Sequence, residues 1–174
     1  MINLEKLTTT RLLLRKPNEN DTESVFEIHG DPETNKFNPA GPDNSIETSN
    51  KRLQKWIAHW ENYGFGYWAV LKIDEPEKVI GFGGIMFKEI EGRKLLNLYF
   101  RFKPNFWGKG YANEMANKAI ETGFQILNQN KIVATVRSNN LPSIKALEKL
   151  GMQLDHKIID EKGESIFYIL ERPE

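Results

Sequence analysis

Apolar and polar positions alternate with different periods along this 174-residue chain, and each change of period predicts a new element. Helical spacing from about Ser45 to Asn62 predicts an amphipathic helix with Gly64 as its stop. Its predicted buried face carries Ile46, Leu53, Trp56, Ile57 and Trp60. A shorter helix is expected from Asn20-Asp-Thr-Glu23 to about His29, because Asn at the cap with Glu three residues later is typical of a helix start.

Short apolar and β-branched runs predict seven strands, at residues 11–15, 67–73, 79–88, 95–103, 131–136, 152–160 and 165–170. A long helix from about Tyr111 to Asn128 separates the fourth and fifth strands, so these two are expected to be parallel neighbours. A short helix from Pro142 to Leu150 follows, and residues 31–43 form an irregular loop. The order predicts one α/β (α+β) domain over residues 1–174. Its sheet is mixed and mostly antiparallel, with a central parallel pair and about four flanking helices.

Composition excludes several classes of function. The 24 basic and 24 acidic residues cancel, so neither nucleic acid nor an anionic membrane is an expected partner. The absence of cysteine excludes disulfides, thiolate nucleophiles and cysteine-ligated zinc. No apolar run approaches the ~20 residues that span a bilayer, and the first residues lack the features of a signal peptide, so a cytoplasmic location is expected. His29, His59 and His156 show no metal-ligand spacing, and no metal is expected.

The candidate chemistry lies where the fourth strand meets the long helix. Gly108-Lys109-Gly110 forms this junction, and free N–H groups at a helix N-terminus bind phosphate. Two other Gly-x-Gly runs, at residues 64–66 and 81–83, do not join a strand to a helix. The parallel strands are expected to end at the same edge of the sheet, so a second helix start near Pro142 should face the same cleft. With Arg101, Lys103, Lys109 and Lys145 nearby, the pattern predicts an elongated phosphorylated ligand.

Two segments carry a resemblance to a known family. Pro104-Asn-Phe-Trp-Gly-Lys-Gly-Tyr-Ala-Asn-Glu114 resembles the acetyl-CoA motif of the GNAT superfamily of N-acetyltransferases, and Asn140-Leu-Pro-Ser-Ile-Lys-Ala-Leu-Glu-Lys-Leu-Gly-Met152 resembles its second CoA motif. Thr10-Arg-Leu-Leu-Leu-Arg15 is similar to the branch that contains the ribosomal-protein alanine acetyltransferases. The resemblance covers roughly residues 8–170. It implies a GNAT-like sheet and an acetyl-CoA-dependent N-acetyltransferase that acts as a monomer or homodimer on a primary amine. Because family members usually bind the acceptor on the side away from CoA, the 31–43 loop and the turns near Tyr67 and Trp68 are candidate walls of the acceptor site.

The resemblance also implies roles for individual residues. The backbone of Arg101, Phe102 and Lys103 would pair with pantetheine, and the N–H groups of Trp107, Gly108, Lys109, Gly110, Tyr111, Ala112 and Asn113 would hold the pyrophosphate. Asn140 would contact the pantetheine arm, Ser143 would lie near the thioester sulfur, and Lys145 would lie near the nucleotide. Alternative interpretations remain open: the glycines as plain turn residues, Trp107 as a packing aromatic, Asn140 as a helix cap and Ser143 as a solvated or capping residue.

The chain departs from the family pattern at two positions. Many members place a Glu general base where this chain has Asn97, and a Tyr general acid where it has Leu147. Deprotonation at pH 7 costs roughly 4.6 kcal/mol for a lysine with a pKa of about 10.4 but roughly 1.4 kcal/mol for an α-amine near 8, which favours the α-amine. Asn97, through a water, and Ser143 are the candidate catalytic residues. The alternative function is a CoA-binding sensor with little or no catalysis. A dinucleotide oxidoreductase is disfavoured, because Asn113 breaks the Gly-x-Gly-x-x-Gly pattern.

Overall fold

The computed structural model describes residues 3–174, which form one continuous sheet covered by helices on both faces. Its strands are β1 (Lys6–Thr8), β2 (Leu12–Arg15), β3 (Tyr67–Lys72), β4 (Glu75–Ile90), β5 (Arg93–Phe102), β6 (Lys131–Arg137), β7 (Gln153–Asp160) and β8 (Gly163–Glu171). Its helices are α1 (Thr22–His29), α2 (Ile46–Tyr63), α3 (Tyr111–Glu121) and α4 (Leu141–Lys149). The mixed α/β architecture with four helices is confirmed. The strand count is wrong by one, because the three-residue β1 is too short to show a period.

The sheet has the order β1-β2-β3-β4-β5-β6-β8-β7. All neighbouring strands are antiparallel except β5 and β6, so the predicted central parallel pair is confirmed. The β4–β5 turn at Glu91-Gly92 has positive φ at both residues, as a two-residue hairpin requires. β4 begins earlier than predicted, at Glu75, and shifts its register against β3 at Leu71.

Side chains of β5 divide between the two faces of the sheet. Leu96, Leu98 and Phe102 face a core that includes Met115 and Ala116 of α3. Tyr99 packs on the opposite core, which α1 and α2 cover. The Gly81–Gly83 run serves this packing rather than a ligand, since a Cβ on Gly83 would lie 2.4 Å from the Met115 side chain.

Helix boundaries follow their capping residues. The Ser45 side chain accepts from the Thr48 N–H at the start of α2, and Gly64 ends that helix with a φ of +73°. Ile46 was expected to be buried, but it is 48% exposed, because it occupies the first turn outside the core stripe. Asn20 is also not the expected cap. Asn18 forms a capping box with Asp21 and starts a short 3₁₀ turn that leads into α1.

The long central helix differs from prediction at its C-terminal end. α3 ends at Glu121 and continues as a π-helical turn over Thr122–Ile126. Gly123 in that turn lies against Ile132 of β6, where a Cβ would approach to 2.8 Å. No helix within residues 3–174 is long and apolar enough to cross a membrane.

Candidate active site

A cleft opens where β5 and β6 separate. Among the described residues these strands pair at one position, Asn97 opposite Val133. The Lys103 N–H donates across 2.9 Å to the Ile80 carbonyl of β4. Because the hydrogen-bonding direction alternates along an antiparallel strand, the main-chain groups of Phe102 point the other way, towards β6. The separation therefore leaves main-chain groups of β5 without a β6 partner along one wall of the cleft, although the Phe102 carbonyl accepts from the Trp107 indole N–H.

The cleft has a volume of about 310 Å³ and receives residues from the 31–43 loop, from β4, β5 and β6, and from α4 with its cap Asn140. The 31–43 loop, predicted as a wall for the acceptor, contributes Thr34, Phe37, Asn38 and Pro39. The strands contribute Lys88, Leu98, Tyr99, Phe100, Arg101, Ala134, Thr135, Val136 and Arg137, and α4 contributes Asn140, Ser143 and Leu147. Tyr67 and Trp68, also predicted near the acceptor, are buried and do not line it.

The Gly108–Gly110 turn starts α3 in a form that suits an anion. Gly108 and Gly110 have φ of +70° and +80°, a left-handed conformation that favours glycine. Gly110 is the N-cap residue, and no side chain accepts from the first N–H groups of the helix. A Cβ on Gly108 would meet no atom within 4 Å, so the backbone there is open. The turn therefore fits a pyrophosphate held by main-chain N–H groups of residues 108–113.

Two residues that sequence reasoning missed brace this turn. Arg11 donates from Nη1 to the Lys109 carbonyl across 2.9 Å and from Nε to Glu114 Oε2 across 2.6 Å. Its guanidinium also lies 4.4 Å from the centre of the Tyr111 ring. Burial would raise the pKa of Glu114, but hydrogen bonds from Thr9 and Arg11 hold that pKa below its usual value. The Thr10–Arg15 segment resembled the family without indicating this contact.

The other predicted cofactor residues differ in whether their polar groups are free to bind a ligand. The Trp107 indole N–H donates to the Phe102 carbonyl across 2.8 Å, and its ring is 46% exposed. The Lys103 N–H donates to β4, and its ammonium pairs with Glu27. The expectation that this N–H pairs with pantetheine is therefore not met. Lys145 is exposed on α4 outside the cleft, and Lys109 lies 5.6 Å from the Phe106 ring.

Asn140 and Ser143 meet at the start of α4. Asn140 Oδ1 accepts from the Ser143 N–H across 3.2 Å, so the capping role is present. Both residues also line the cleft, which leaves the Asn140 amide N–H groups and the Ser143 hydroxyl available to a ligand. Leu147, at the usual position of the acid, is 3% exposed and supplies no proton donor.

Asn97 is buried behind the cleft rather than in its lining. It is 4% exposed, and its Nδ2 donates to the Tyr67 hydroxyl across 3.0 Å. Its Oδ1 has no hydrogen-bond partner among the described residues. A buried acceptor without a partner is uncommon, and this oxygen could still accept from a water or a substrate N–H.

Tyr99 and His29 form a buried pair that sequence reasoning did not find. His29 Nδ1 lies 3.1 Å from the Val25 carbonyl, which can only accept, so Nδ1 carries the proton. His29 Nε2 is therefore the acceptor of the Tyr99 hydroxyl, 2.6 Å away. Burial first, and the Arg101 charge second, lower the pKa of His29 to about 3. Since its proton is donated to the neutral imidazole, the Tyr99 oxygen can only accept any further hydrogen bond.

No group of three or more His, Asp or Glu side chains in the described part of the chain is arranged to hold a metal ion. The cleft and the glycine turn instead lie at the same end of β5. The arrangement can hold an extended ligand with an anionic end at α3 and a polar end between β5, β6 and α4.

Comparisons with known proteins agree with this arrangement. A family model described as "Acetyltransferase (GNAT) domain" matches residues 11–153. The chain is similar to the uncharacterized N-acetyltransferase p20 of Bacillus licheniformis, with 32% identity over 158 residues that cover 90% of this chain and 87% of that protein.

Solved structures share the fold. A GNAT-family acetyltransferase from Bacillus anthracis is 26% identical with a TM-score of 0.78, covering 95% of this chain and 98% of its own. Two structures at 18% identity share the fold alone. They are a spermidine N-acetyltransferase from Vibrio cholerae in complex with CoA and spermine (TM-score 0.74, 92% and 95% covered) and a ribosomal-protein-S5-alanine acetyltransferase from Vibrio fischeri (TM-score 0.72, 95% and 96% covered). With its glycine turn, its open parallel pair and the match over most of its length, the chain belongs to the GNAT family of acetyl-CoA-dependent acetyltransferases.

Proposed function

We propose that this acetyltransferase moves the acetyl group directly to a primary amine while both substrates are bound. The observation that supports this most is the separation of β5 from β6 after Asn97, beside the open start of α3. The cleft receives polar groups from both sides, so a donor and an acceptor can meet there. A thiol acyl-enzyme is excluded, because the chain has no cysteine.

The donor end is proposed to use main-chain groups. The Phe102 N–H would donate to a pantetheine carbonyl, since the Phe102 carbonyl already accepts from Trp107, and residues 107–113 would bind the pyrophosphate. Asn140 would hydrogen-bond the pantetheine arm through its free amide N–H groups, while its Oδ1 caps α4. Acetyl-CoA supplies the thioester carbonyl that is attacked and the thiolate that leaves.

The acceptor end is proposed to lie between the 31–43 loop and Tyr99. The Tyr99 oxygen would accept a hydrogen bond from the incoming amine and orient it. In the transfer the amine nitrogen bonds to the acetyl carbon, the carbon–sulfur bond breaks, the nitrogen releases a proton and the sulfur gains one. Ser143 would donate to the leaving sulfur, and Asn97 Oδ1 would hold the water that receives the proton from nitrogen.

Steady-state release of CoA thiol tests this proposal, and a cysteine-free enzyme contributes no background to a thiol reagent. A panel of primary amines, peptides with free N-termini and polyamines should contain acceptors that turn over. Ser143→Ala should lower kcat by about a hundredfold, the lower range for loss of a proton donor, with little change in KM for acetyl-CoA.

Ser24→Ala is the matched control, because Ser24 lies on α1 and does not line the cleft. Binding of acetyl-CoA with no turnover of any acceptor would refute transfer and favour a CoA-binding sensor. An unchanged kcat in Ser143→Ala would refute the role of Ser143 as proton donor but would leave the proposed transfer standing.

A further inference from the structure

The cleft carries positive charge that the described structure leaves without a full counter-charge. Lys88, Arg101 and Arg137 line the cleft, and none of its lining residues is Asp or Glu. This charge is local, because the chain as a whole has a formal net charge of zero. Within residues 3–174, neither Lys88 nor Arg101 takes part in a salt bridge.

Arg101 is held in place but keeps most of its donors free. Its Nη1 donates to Asn35 Oδ1 across 2.7 Å, the one hydrogen bond of this guanidinium among the described residues. Asn35 is 4% exposed, and its Nδ2 donates to the His29 carbonyl across 2.7 Å. A guanidinium has five N–H donors in a planar fork that matches a carboxylate. Arg101 is therefore oriented by a buried amide and still able to bind an anion.

The neighbouring charges do not cancel this field. Arg137 Nη1 lies 3.5 Å from Asp160 Oδ1 but has no hydrogen-bond partner. Asp43, the carboxylate whose charge acts on both His29 and Tyr99, is already bound by Arg52 across 2.6 Å. Desolvation lowers the pKa of the Lys88 ammonium although part of that side chain is exposed. A polycationic acceptor would meet these charges with no carboxylate in the lining to offset them.

Tyr99 and Arg101 lie on the same face of β5 and offer opposite hydrogen-bonding groups, an acceptor and a donor. The Tyr99 oxygen can only accept, and the Arg101 guanidinium can only donate. They are two residues apart, so their Cα atoms are separated by roughly 7 Å along β5. We propose that the acceptor is a small amine that also carries a carboxylate, with its nitrogen at Tyr99 and its carboxylate at Arg101. This proposal rests on the proposed acetyl transfer and names the substrate class of the same site.

Paired acceptors that differ only in charge test the proposal. Glycine, β-alanine and 4-aminobutyrate span several amine-to-carboxylate separations, and each is compared with its own amide and with spermidine. Rates are divided by the fraction of neutral amine at the assay pH. At least one carboxylate should exceed its amide at least tenfold in kcat/KM. Arg101→Gln should remove that preference, and Arg101→Lys should keep part of it.

Arg93→Gln is the matched control. This substitution removes the same charge from the start of the same strand, and Arg93 does not line the cleft. It should leave the carboxylate preference within twofold of the unmodified chain. A preference for amides or spermidine would overturn the proposal. So would an equal loss for carboxylates and amides in Arg101→Gln.

Failure of the underlying transfer is distinguishable from failure of this inference. If acetyl-CoA binds but no amine is acetylated, each acceptor pair is titrated calorimetrically into the protein saturated with CoA. Tighter binding of carboxylates than amides, lost in Arg101→Gln, would support the anion site without the reaction. Equal binding of both members would overturn it.

Discussion

The glycine turn at the start of α3 offers a substitution that separates cofactor binding from folding. Gly108 has a φ of +70° and Gly92, in the β4–β5 hairpin, has a φ of +71°. A Cβ at either position would meet no atom within 4 Å. An L-residue in this conformation costs about 1–2 kcal/mol, towards the lower end for Asp. Gly108→Asp and Gly92→Asp should therefore lose similar free energies of unfolding.

Their effects on acetyl-CoA binding should differ. At Gly108 the new carboxylate would face the proposed pyrophosphate, whereas Gly92 is at the opposite end of β5. Two unit charges 4 Å apart repel by about 1 kcal/mol in water-like surroundings, and Gly108 is exposed. With two phosphate charges the penalty is about 2 kcal/mol, which corresponds to a roughly thirtyfold rise in Kd.

Calorimetric titration with acetyl-CoA measures this difference. Gly108→Asp should raise Kd about thirtyfold, Gly108→Asn much less, and Gly92→Asp less than twofold. Added salt should reduce the difference in Kd between Gly108→Asp and Gly108→Asn, because screening weakens the interaction of exposed charges. Equal Kd values for Gly108→Asp and Gly92→Asp, with both proteins folded in denaturant titrations, would refute the pyrophosphate site.

Two predictions concern the pH dependence of stability. Between pH 6.5 and about 3 the unfolded chain binds a proton at His29 that the folded chain excludes. The contribution of His29 to the free energy of unfolding should therefore fall by about 1.4 kcal/mol per pH unit below pH 6.5, and His29→Gln should reduce the slope in urea titrations by that amount. The pKa of Glu114 is lowered from 4.5, so its stabilisation is present above that pH and lost as pH falls through the folded pKa. Glu114→Gln should have a lower free energy of unfolding than the unmodified chain at pH 7, and this difference should disappear in acid. A difference in free energy that does not change with pH would contradict the prediction.

Local sequence rules predicted the elements that position the site. The period changes located the β5–α3 junction, and the intervening helix predicted that β5 and β6 are parallel. The capping rule predicted the helix start at Asn20, whereas the observed hydrogen bonds place the cap at Asn18. Helical spacing also predicted that Ile46 is buried, which is wrong. The first turn of a helix can extend beyond the core while its residues still fit the periodic pattern.

Long-range side-chain pairs were not predictable from the sequence. Arg11 and Glu114 are 103 residues apart, and His29 and Tyr99 are 70 residues apart. Such pairs leave no periodic signal, because the fold rather than the local chain brings them together. The proposed site therefore combines a predicted backbone turn with braces and hydrogen-bond partners that only the structure identifies.

Among the described residues no Asp or Glu lines the cleft, and this links the proton path to the choice of acceptor. A carboxylate base would take the proton of the amine, but it would also neutralise Arg101 and weaken its hold on an anionic substrate. Without one, the reaction depends on how readily the acceptor itself deprotonates, about 1.4 kcal/mol for a pKa near 8 against about 4.6 for 10.4.

The pH profile of kcat/KM should therefore follow the acceptor. For each amine, log kcat/KM should rise with unit slope and level off at the pKa of that amine, measured by CoA release with acceptors of graded pKa. Neither Asn97 nor Ser143 ionises in this range, and the buried His29 has a pKa of about 3, so none of these three residues should fix the midpoint. A midpoint that stays at one pH for every acceptor would show that a group on the protein is the base, and the neutral-amine mechanism would then be wrong.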